Sequence, residues 1–262
     1  MIDKLLKTLH LSDLESFKYG SGSSNTVLNW VSTDTEELYK ENLNKKTTRT
    51  LLEKYNWLDS ENDITYEYDD CGFRINSTYD IKSDKRLLVL GCSTTFGVGL
   101  KAEQTWPWII GKKLNYNVFN LAVVGTGLSN MFMKLVYWLP KINPDIVICF
   151  AEDYTLNRVD MFKLGDELVE PYIVDQNKTS ISAKLQKEFN QYVLDERNVF
   201  LSSYKNLIAM KYLTEVNGCK FISNWDFDIY KMKPPKDFAR DLIHDGELYN
   251  KFLAARFYRK VR

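Results

Sequence analysis

The sequence contains few histidines and few cysteines, and neither sign of charge is in excess. Its two histidines are His10 and His244, so histidine-dependent chemistry must use one of them. The four cysteines are widely spaced and form no C-x-x-C pair, which argues against a zinc site or a redox dithiol. Lys and Arg total 35 and Asp and Glu total 35, so the chain lacks the basic surplus with which proteins bind nucleic acid.

Long apolar segments are also absent. No run of about 18 apolar residues occurs, so no transmembrane helix is predicted. The N-terminal residues lack the apolar region and the small-residue cleavage site of a signal peptide. Together with the scattered cysteines, this pattern predicts a cytoplasmic protein. A hydrophobic content of 44% nevertheless indicates a folded globular chain and excludes a disordered one.

Apolar runs alternate with helical patterns from residue 86 to residue 262. Strands are predicted at 87–91, 117–122, 145–150 and 219–225, and helices at 103–114, 128–138, 182–216 and 246–260. This alternation predicts an α/β fold whose parallel sheet is covered on both faces, with the functional site at the carboxyl ends of the strands. Residues 151–180 do not fit the repeat and are predicted to be an insertion near the site.

The first 85 residues are predicted to form an accessory region, helical with a short β-hairpin. A helix is expected over 34–56, with Thr33 or Asp34 as its N-cap, and two short strands over 64–77. This part of the sequence contains no recognisable chemical motif. It is interpreted as an accessory domain or as a cap over the core.

Two short motifs about 150 residues apart carry the chemistry. Ser93 follows the first core strand by two residues, which places its hydroxyl at the carboxyl edge of the sheet; a helix-capping serine is the alternative. Asp241 precedes His244 by three residues, so its carboxylate can hold the Nδ1 proton and stabilise the imidazolium. A surface Asp-His pair, or a histidine at the start of the last helix, is the alternative there.

Three segments together resemble the SGNH (GDSL-type) hydrolases over about residues 86–262. They are Gly91-Cys-Ser-Thr-Thr-Phe-Gly97, Asn120-Leu-Ala-Val-Val-Gly125 and Asp241-Leu-Ile-His244. The resemblance implies a three-layer, flavodoxin-like sheet with Ser93 as nucleophile, His244 as base and Asp241 as the residue that orients the base. It also implies that the amides of Ser93 and Gly125 bind the oxyanion.

The sequence departs from the family pattern at two places. Cys92 replaces the aspartate before the nucleophile, a position that supports structure more than chemistry. The Gly-x-Asn-Asp block is missing, and aligning the strand ends puts Asp153 where the asparagine would be. An ionised aspartate donates no hydrogen bond, so the third oxyanion donor is left open between Asn157, Asn130 and Asp153 itself.

The resemblance implies a serine esterase that hydrolyses a small acyl ester, such as an O-acetyl group on a carbohydrate, through an acyl-enzyme. No metal or cofactor is needed for this chemistry. A metal cluster of Glu152, Asp153 and Asp160 is less favoured than a solvated loop, and His10 is expected to be structural or exposed. Two alternatives stay open: an O-acyltransferase with the same triad, and a catalytically silent module that binds glycan or serves a structural role.

Overall fold

The structure is a computed structural model. It describes residues 15, 17–61, 63–152, 162–164, 167–169, 196–226 and 233–262. Nine strands and seven α-helices lie in these ranges. The strands are β1 (Val27–Leu28), β2 (Tyr66–Tyr68), β3 (Arg74–Ile75), β4 (Arg86–Leu90), β5 (Asn117–Asn120), β6 (Ile146–Cys149), β7 (Phe162–Leu164), β8 (Glu167–Val169) and β9 (Lys220–Ser223). The helices are α1 (Glu36–Asn44), α2 (Lys46–Lys54), α3 (Ser93–Phe96), α4 (Trp106–Leu114), α5 (Leu128–Ile142), α6 (Glu196–Val216) and α7 (Glu247–Val261).

A four-stranded parallel sheet forms the centre of the fold, with the strand order β5-β4-β6-β9. The first core strand, β4, therefore lies between the second and the third, which is the flavodoxin-like order. The predicted α/β class and the four predicted strands are confirmed. At such a sheet the order reverses beside β4, and a crevice opens outside the carboxyl ends of the strands. The residues that follow β4 lie at this edge of the sheet.

Alternate residues of the central strands supply two separate cores, because successive side chains point to opposite faces of a sheet. Leu88 and Leu90 of β4 face a core that α5 and α6 cover. Leu87 and Val89 face a second core that α4 and α7 cover, centred on Trp106 and Phe257. The result is the predicted three-layer arrangement.

Two details of the predicted helices are wrong. Helix α5 does not end before Pro140 but includes it and continues to Ile142, where Asn143 adopts the left-handed conformation. Proline lacks a backbone N–H, and the fold tolerates this loss in the last turn. The segment 34–56 forms two helices, and Thr35 caps the first by accepting a hydrogen bond from the Leu38 amide at 3.1 Å. Thr33 and Asp34, the predicted caps, have other partners.

Residues 17–85 pack against the sheet layer through a third apolar cluster. Tyr39, Leu52 and Tyr66 meet Phe96, which ends the short helix after β4, and Ala239, which precedes Asp241 by two residues. Strands β1, β2 and β3 pair antiparallel in this region. The division at residue 85 stays a prediction, but this part of the chain contacts both of the segments that carry the chemical motifs. None of the helices in the described ranges is long and apolar enough to cross a membrane.

A buried ion pair joins the N-terminal region to the core. The guanidinium of Arg240 has no exposed surface, and all five of its N–H groups donate hydrogen bonds. Two go to the carboxylate of Asp34, at 3.0 and 2.7 Å. The other three go to the carbonyl oxygens of Asn29, Ser60 and Glu61 at 2.8, 2.7 and 3.1 Å, and the Trp30 ring stacks on the guanidinium. The position of Arg240 is therefore determined by residues about 200 positions earlier in the chain.

We expect Asp34→Ala to lower the free energy of unfolding by about 3–5 kcal/mol, because it leaves the buried Arg240 without its counter-ion. The matched control is Glu36→Ala, which removes an exposed ion pair with Lys40 and should cost about 0–1 kcal/mol. Urea denaturation followed by tryptophan fluorescence measures both. Equal, small losses in the two variants would contradict the importance of the buried pair.

Candidate active site

Ser93 lies at the carboxyl end of β4 as the first residue of the four-residue helix α3. The approach of the strand to this helix requires glycine at position 91, since a Cβ there would lie 2.0 Å from Thr95 Oγ1. Gly97 ends the helix in the left-handed conformation with φ +87°. Ser93 is 6% exposed, so the serine lies in a buried turn with Gly91 before it and Gly97 after it.

Arg74 of β3 holds the far side of this turn. Its buried guanidinium donates to the carbonyl oxygens of Phe96, Gly97 and Leu100 at 3.0, 2.6 and 2.7 Å. Asn120, at the end of β5, adds a bond from its side-chain amide to the Thr95 carbonyl oxygen at 3.2 Å. Polar contacts from two directions thus fix the backbone that carries Ser93.

Asp241 and His244 form a compact turn that places the carboxylate against the imidazole. The Oδ1 atom of Asp241 accepts hydrogen bonds from the amides of Ile243 and His244 at 3.1 and 3.0 Å. Its Oδ2 atom lies 2.7 Å from His244 Nδ1 and accepts a second bond, also 2.7 Å, from the hydroxyl of Thr33. Leu242, between them, adopts the left-handed conformation with φ +56°. The predicted contact between Asp241 and His244 is therefore present.

The two partners stabilise each other's charged forms. Burial raises the pKa of Asp241, but hydrogen bonds from His244 and Thr33 outweigh burial and hold that pKa below its usual range. Burial lowers the pKa of His244, but the hydrogen bond and charge of Asp241 outweigh burial, and Glu152 and Asp245 add to them. The pKa of His244 is raised as a result. An aspartate in this role keeps Nδ1 protonated, which leaves Nε2 to accept a proton.

Glu152 is an acidic residue of the site whose role the sequence did not reveal. It is buried three residues after β6 ends at Cys149, and it accepts a hydrogen bond from Thr94 Oγ1 at 2.5 Å. Its negative charge also raises the pKa of His244. Asn224, which follows β9, binds both the amide and the carbonyl of Ala151 at 2.8 Å and so fixes the backbone beside Glu152. Glu152 thus contacts the Ser93 turn and acts electrostatically on the histidine.

The segment that follows Ser93 and the segment that contains Asp241 and His244 also contact each other through their backbones. The Arg240 amide donates to the Gly99 carbonyl oxygen at 3.0 Å, and a Cβ on Gly99 would collide with Ala239. Gly125 lies in an exposed position with φ +79°, in the loop whose Val123 amide donates to Gly91 at 3.2 Å. The structure therefore gathers the Ser93 turn, the Gly125 loop and the Asp241–His244 turn at one edge of the sheet.

Of the three candidates for the third oxyanion donor, the structure describes one, Asn130. Asn130 is the third residue of α5 and is half-buried. Asp153, Asn157 and His10 lie outside the described residues. In the described part of the chain, no three His, Cys, Asp or Glu side chains are grouped to hold a metal ion. The catalytic roles of Ser93, Asp241 and His244 and the oxyanion assignments stay predictions.

Thr33 and Glu152 are the site residues whose roles sequence reasoning missed. Thr33 is 208 positions from Asp241 and carries no motif, so nothing in the sequence could have indicated the contact. Glu152 lies in the segment that replaces the Gly-x-Asn-Asp block. This departure from the family pattern was the one feature of the sequence that could have drawn attention to Glu152.

Comparison with known proteins finds likenesses among solved structures. No family model matches the chain, and no curated protein sequence does so. The crystal structure of TesA is 13% identical over 68% of this chain and 98% of its own, with a TM-score of 0.42. A putative lipolytic protein of the G-D-S-L family from Desulfitobacterium hafniense is 12% identical over 67% and 99%, with a TM-score of 0.37. The acetyl xylan esterase AlAXEase is 15% identical over 67% and 100%, with a TM-score of 0.36. These likenesses concern the fold alone.

We expect Glu152→Gln to lower the pKa of His244, because the change removes a negative charge beside the imidazole while keeping an oxygen that can accept from Thr94. Histidine-selective NMR titration measures this directly, since the chain contains two histidines. Glu36→Gln, an exposed change outside the site, is the control and should leave the midpoint unaltered. An unchanged midpoint in Glu152→Gln would show that Glu152 does not act on His244.

Proposed function

We propose that the protein is a serine ester hydrolase. The observation that carries the proposal is the buried Asp241 carboxylate, which has partners on both oxygens and lies 2.7 Å from His244 Nδ1, close to the turn that carries Ser93. An imidazole held in this way is suited to take a proton through Nε2. The hydrogen bond from the Arg240 amide to the Gly99 carbonyl oxygen, at 3.0 Å, joins the segment of this pair to the segment that follows Ser93 and supports a shared site.

The proposed reaction proceeds through an acyl-enzyme. Ser93 Oγ attacks the ester carbonyl carbon while His244 Nε2 takes the hydroxyl proton, and Asp241 stabilises the imidazolium. The tetrahedral oxyanion is bound by the amides of Ser93 and Gly125. The carbon–oxygen bond to the alcohol then breaks, and the imidazolium protonates the departing alkoxide. Water, deprotonated by His244, attacks the acyl group and releases the carboxylic acid and Ser93.

The proposed substrate is a small acyl ester, with acetyl on a carbohydrate as the favoured case. The resemblance of the Ser93, Gly125 and Asp241–His244 segments to SGNH hydrolases supports this class. A sugar hydroxyl in place of water would make the same site an acyltransferase. Acetate release from an acetylated oligosaccharide, measured with and without an acceptor sugar, separates hydrolysis from transfer.

We expect a fluorophosphonate probe to label Ser93, because the reagent reacts with serines that a base activates. Ser93→Ala should abolish both the labelling and the hydrolysis of p-nitrophenyl acetate. Ser203→Ala, a buried serine on α6, is the control and should retain both. Mass spectrometry maps the modified residue. Full activity in Ser93→Ala would overturn the proposed function, and so would labelling at another serine.

We expect Asn130→Ala to lower kcat by about 10²–10³ with little change in KM if its amide is the third oxyanion donor, since that bond forms mainly in the transition state. Asn206→Ala is the control, because the Asn206 amide is engaged with Ser129 Oγ at 3.0 Å. Steady-state kinetics on the two variants decides the matter. A kcat within twofold of the wild type in Asn130→Ala would exclude Asn130 as the donor.

A further inference from the structure

Thr33 contacts the acid–base pair from outside the sheet. Its hydroxyl donates to Asp241 Oδ2 at 2.7 Å, and the same oxygen lies 3.4 Å from His244 Nδ1. The acceptor atom Oδ2 is therefore shared between the hydroxyl and the imidazole. The other carboxylate oxygen, Oδ1, is engaged with two backbone amides.

The position of Thr33 is built into the fold. It lies in a two-residue turn closed by hydrogen bonds between Val31 and Asp34, at 2.9 and 3.1 Å, in which Ser32 adopts φ +60°. The next residue, Asp34, forms the buried ion pair with Arg240. Two consecutive residues of the N-terminal region thus face two consecutive residues of the core: Asp34 meets Arg240, and Thr33 meets Asp241.

We propose that Thr33 is a positioning residue for the Asp241–His244 pair, and the proposal rests on the proposed function. The Thr33 hydroxyl completes the partners of the carboxylate, so that Asp241 cannot rotate without losing a hydrogen bond. The imidazole is then held in one orientation by the Asp241 carboxylate, as the proposed proton transfer through Nε2 requires. Misplacing a catalytic base by a fraction of an ångström lowers the rate of the chemical step more than it weakens substrate binding.

Thr33 also moderates the charge that His244 experiences. The charged groups facing His244 are Asp241 and Asp245 from its own segment and Glu152 from the end of β6. Thr33 is neutral, and its O–H withdraws negative charge from Asp241 Oδ2 by donating a hydrogen bond. Removing this donor leaves more negative charge on Asp241 Oδ2, the atom that faces His244 Nδ1. The pKa of His244 should therefore rise.

Three variants test the proposal. Thr33→Val keeps the shape of the side chain and removes the hydroxyl, while Thr33→Ser keeps the hydroxyl. Thr35→Val is the matched control, because it removes the hydroxyl that caps α1, two residues away, without touching the acid–base pair. Thr33 is exposed, so its replacement should not prevent folding.

We expect Thr33→Val to lower kcat roughly tenfold with little change in KM and to raise the pKa of His244, with Thr33→Ser restoring both. Thr35→Val should lower the midpoint of urea denaturation but leave kcat and the His244 pKa unaltered. Histidine NMR follows the titration, and His10→Gln assigns the His244 signal. The acid limb of the pH profile of kcat/KM should move to higher pH in Thr33→Val.

The proposal is overturned if Thr33→Val matches the wild type in kcat and in the His244 pKa, or if Thr33→Ser is as impaired as Thr33→Val. Failure of the proposed function looks different, because the wild type would then hydrolyse no ester and react with no fluorophosphonate. The NMR titration needs no activity. It therefore still decides whether the Thr33 hydroxyl acts on the Asp241–His244 pair.

Discussion

The structure of the site depends on the buried ion pair between Arg240 and Asp34. A guanidinium cannot lose its charge, so a fully buried arginine must find acceptors for all of its N–H groups. Those acceptors come from Asp34 and from carbonyl groups of the N-terminal region. Because Asp241 is the next residue along the chain, the direction in which its carboxylate points follows from where Arg240 is held.

A second buried arginine, Arg74, fixes the backbone of the turn that carries Ser93. Arg74 belongs to the N-terminal region and binds the carbonyl groups of the turn after Ser93, whereas Arg240 belongs to the core and binds carbonyl groups of the N-terminal region. Each side of the interface between residues 17–85 and the core thus supplies one buried arginine to carbonyl groups of the other side. Residues 17–85, which contain no chemical motif, thereby hold both the segment with the serine and the segment with the histidine.

Local features of the site could be predicted from the sequence, and remote ones could not. The spacing of Asp241 and His244 predicts their contact, because three residues of chain can close only a small turn. Alternating apolar runs predict the strands and hence the edge at which Ser93 lies. Thr33 resembles an N-cap at the level of sequence, since a threonine before a helical pattern has the same local signature whether it caps the helix or reaches Asp241. Only tertiary packing across about 200 residues separates the two uses.

The separation of Thr33 and Asp34 from Arg240 and Asp241 also has a consequence for how the protein is made. Strands β4, β5 and β6 are neighbours both in the sheet and in the order of synthesis, so three of the four sheet strands can assemble while the chain is still growing. The Asp34 acceptor for Arg240 is translated 206 residues before Arg240 itself. The serine turn can therefore form before the histidine has been translated, and the contacts of Thr33 and Asp34 with the Asp241–His244 segment are completed only after that later segment has been added.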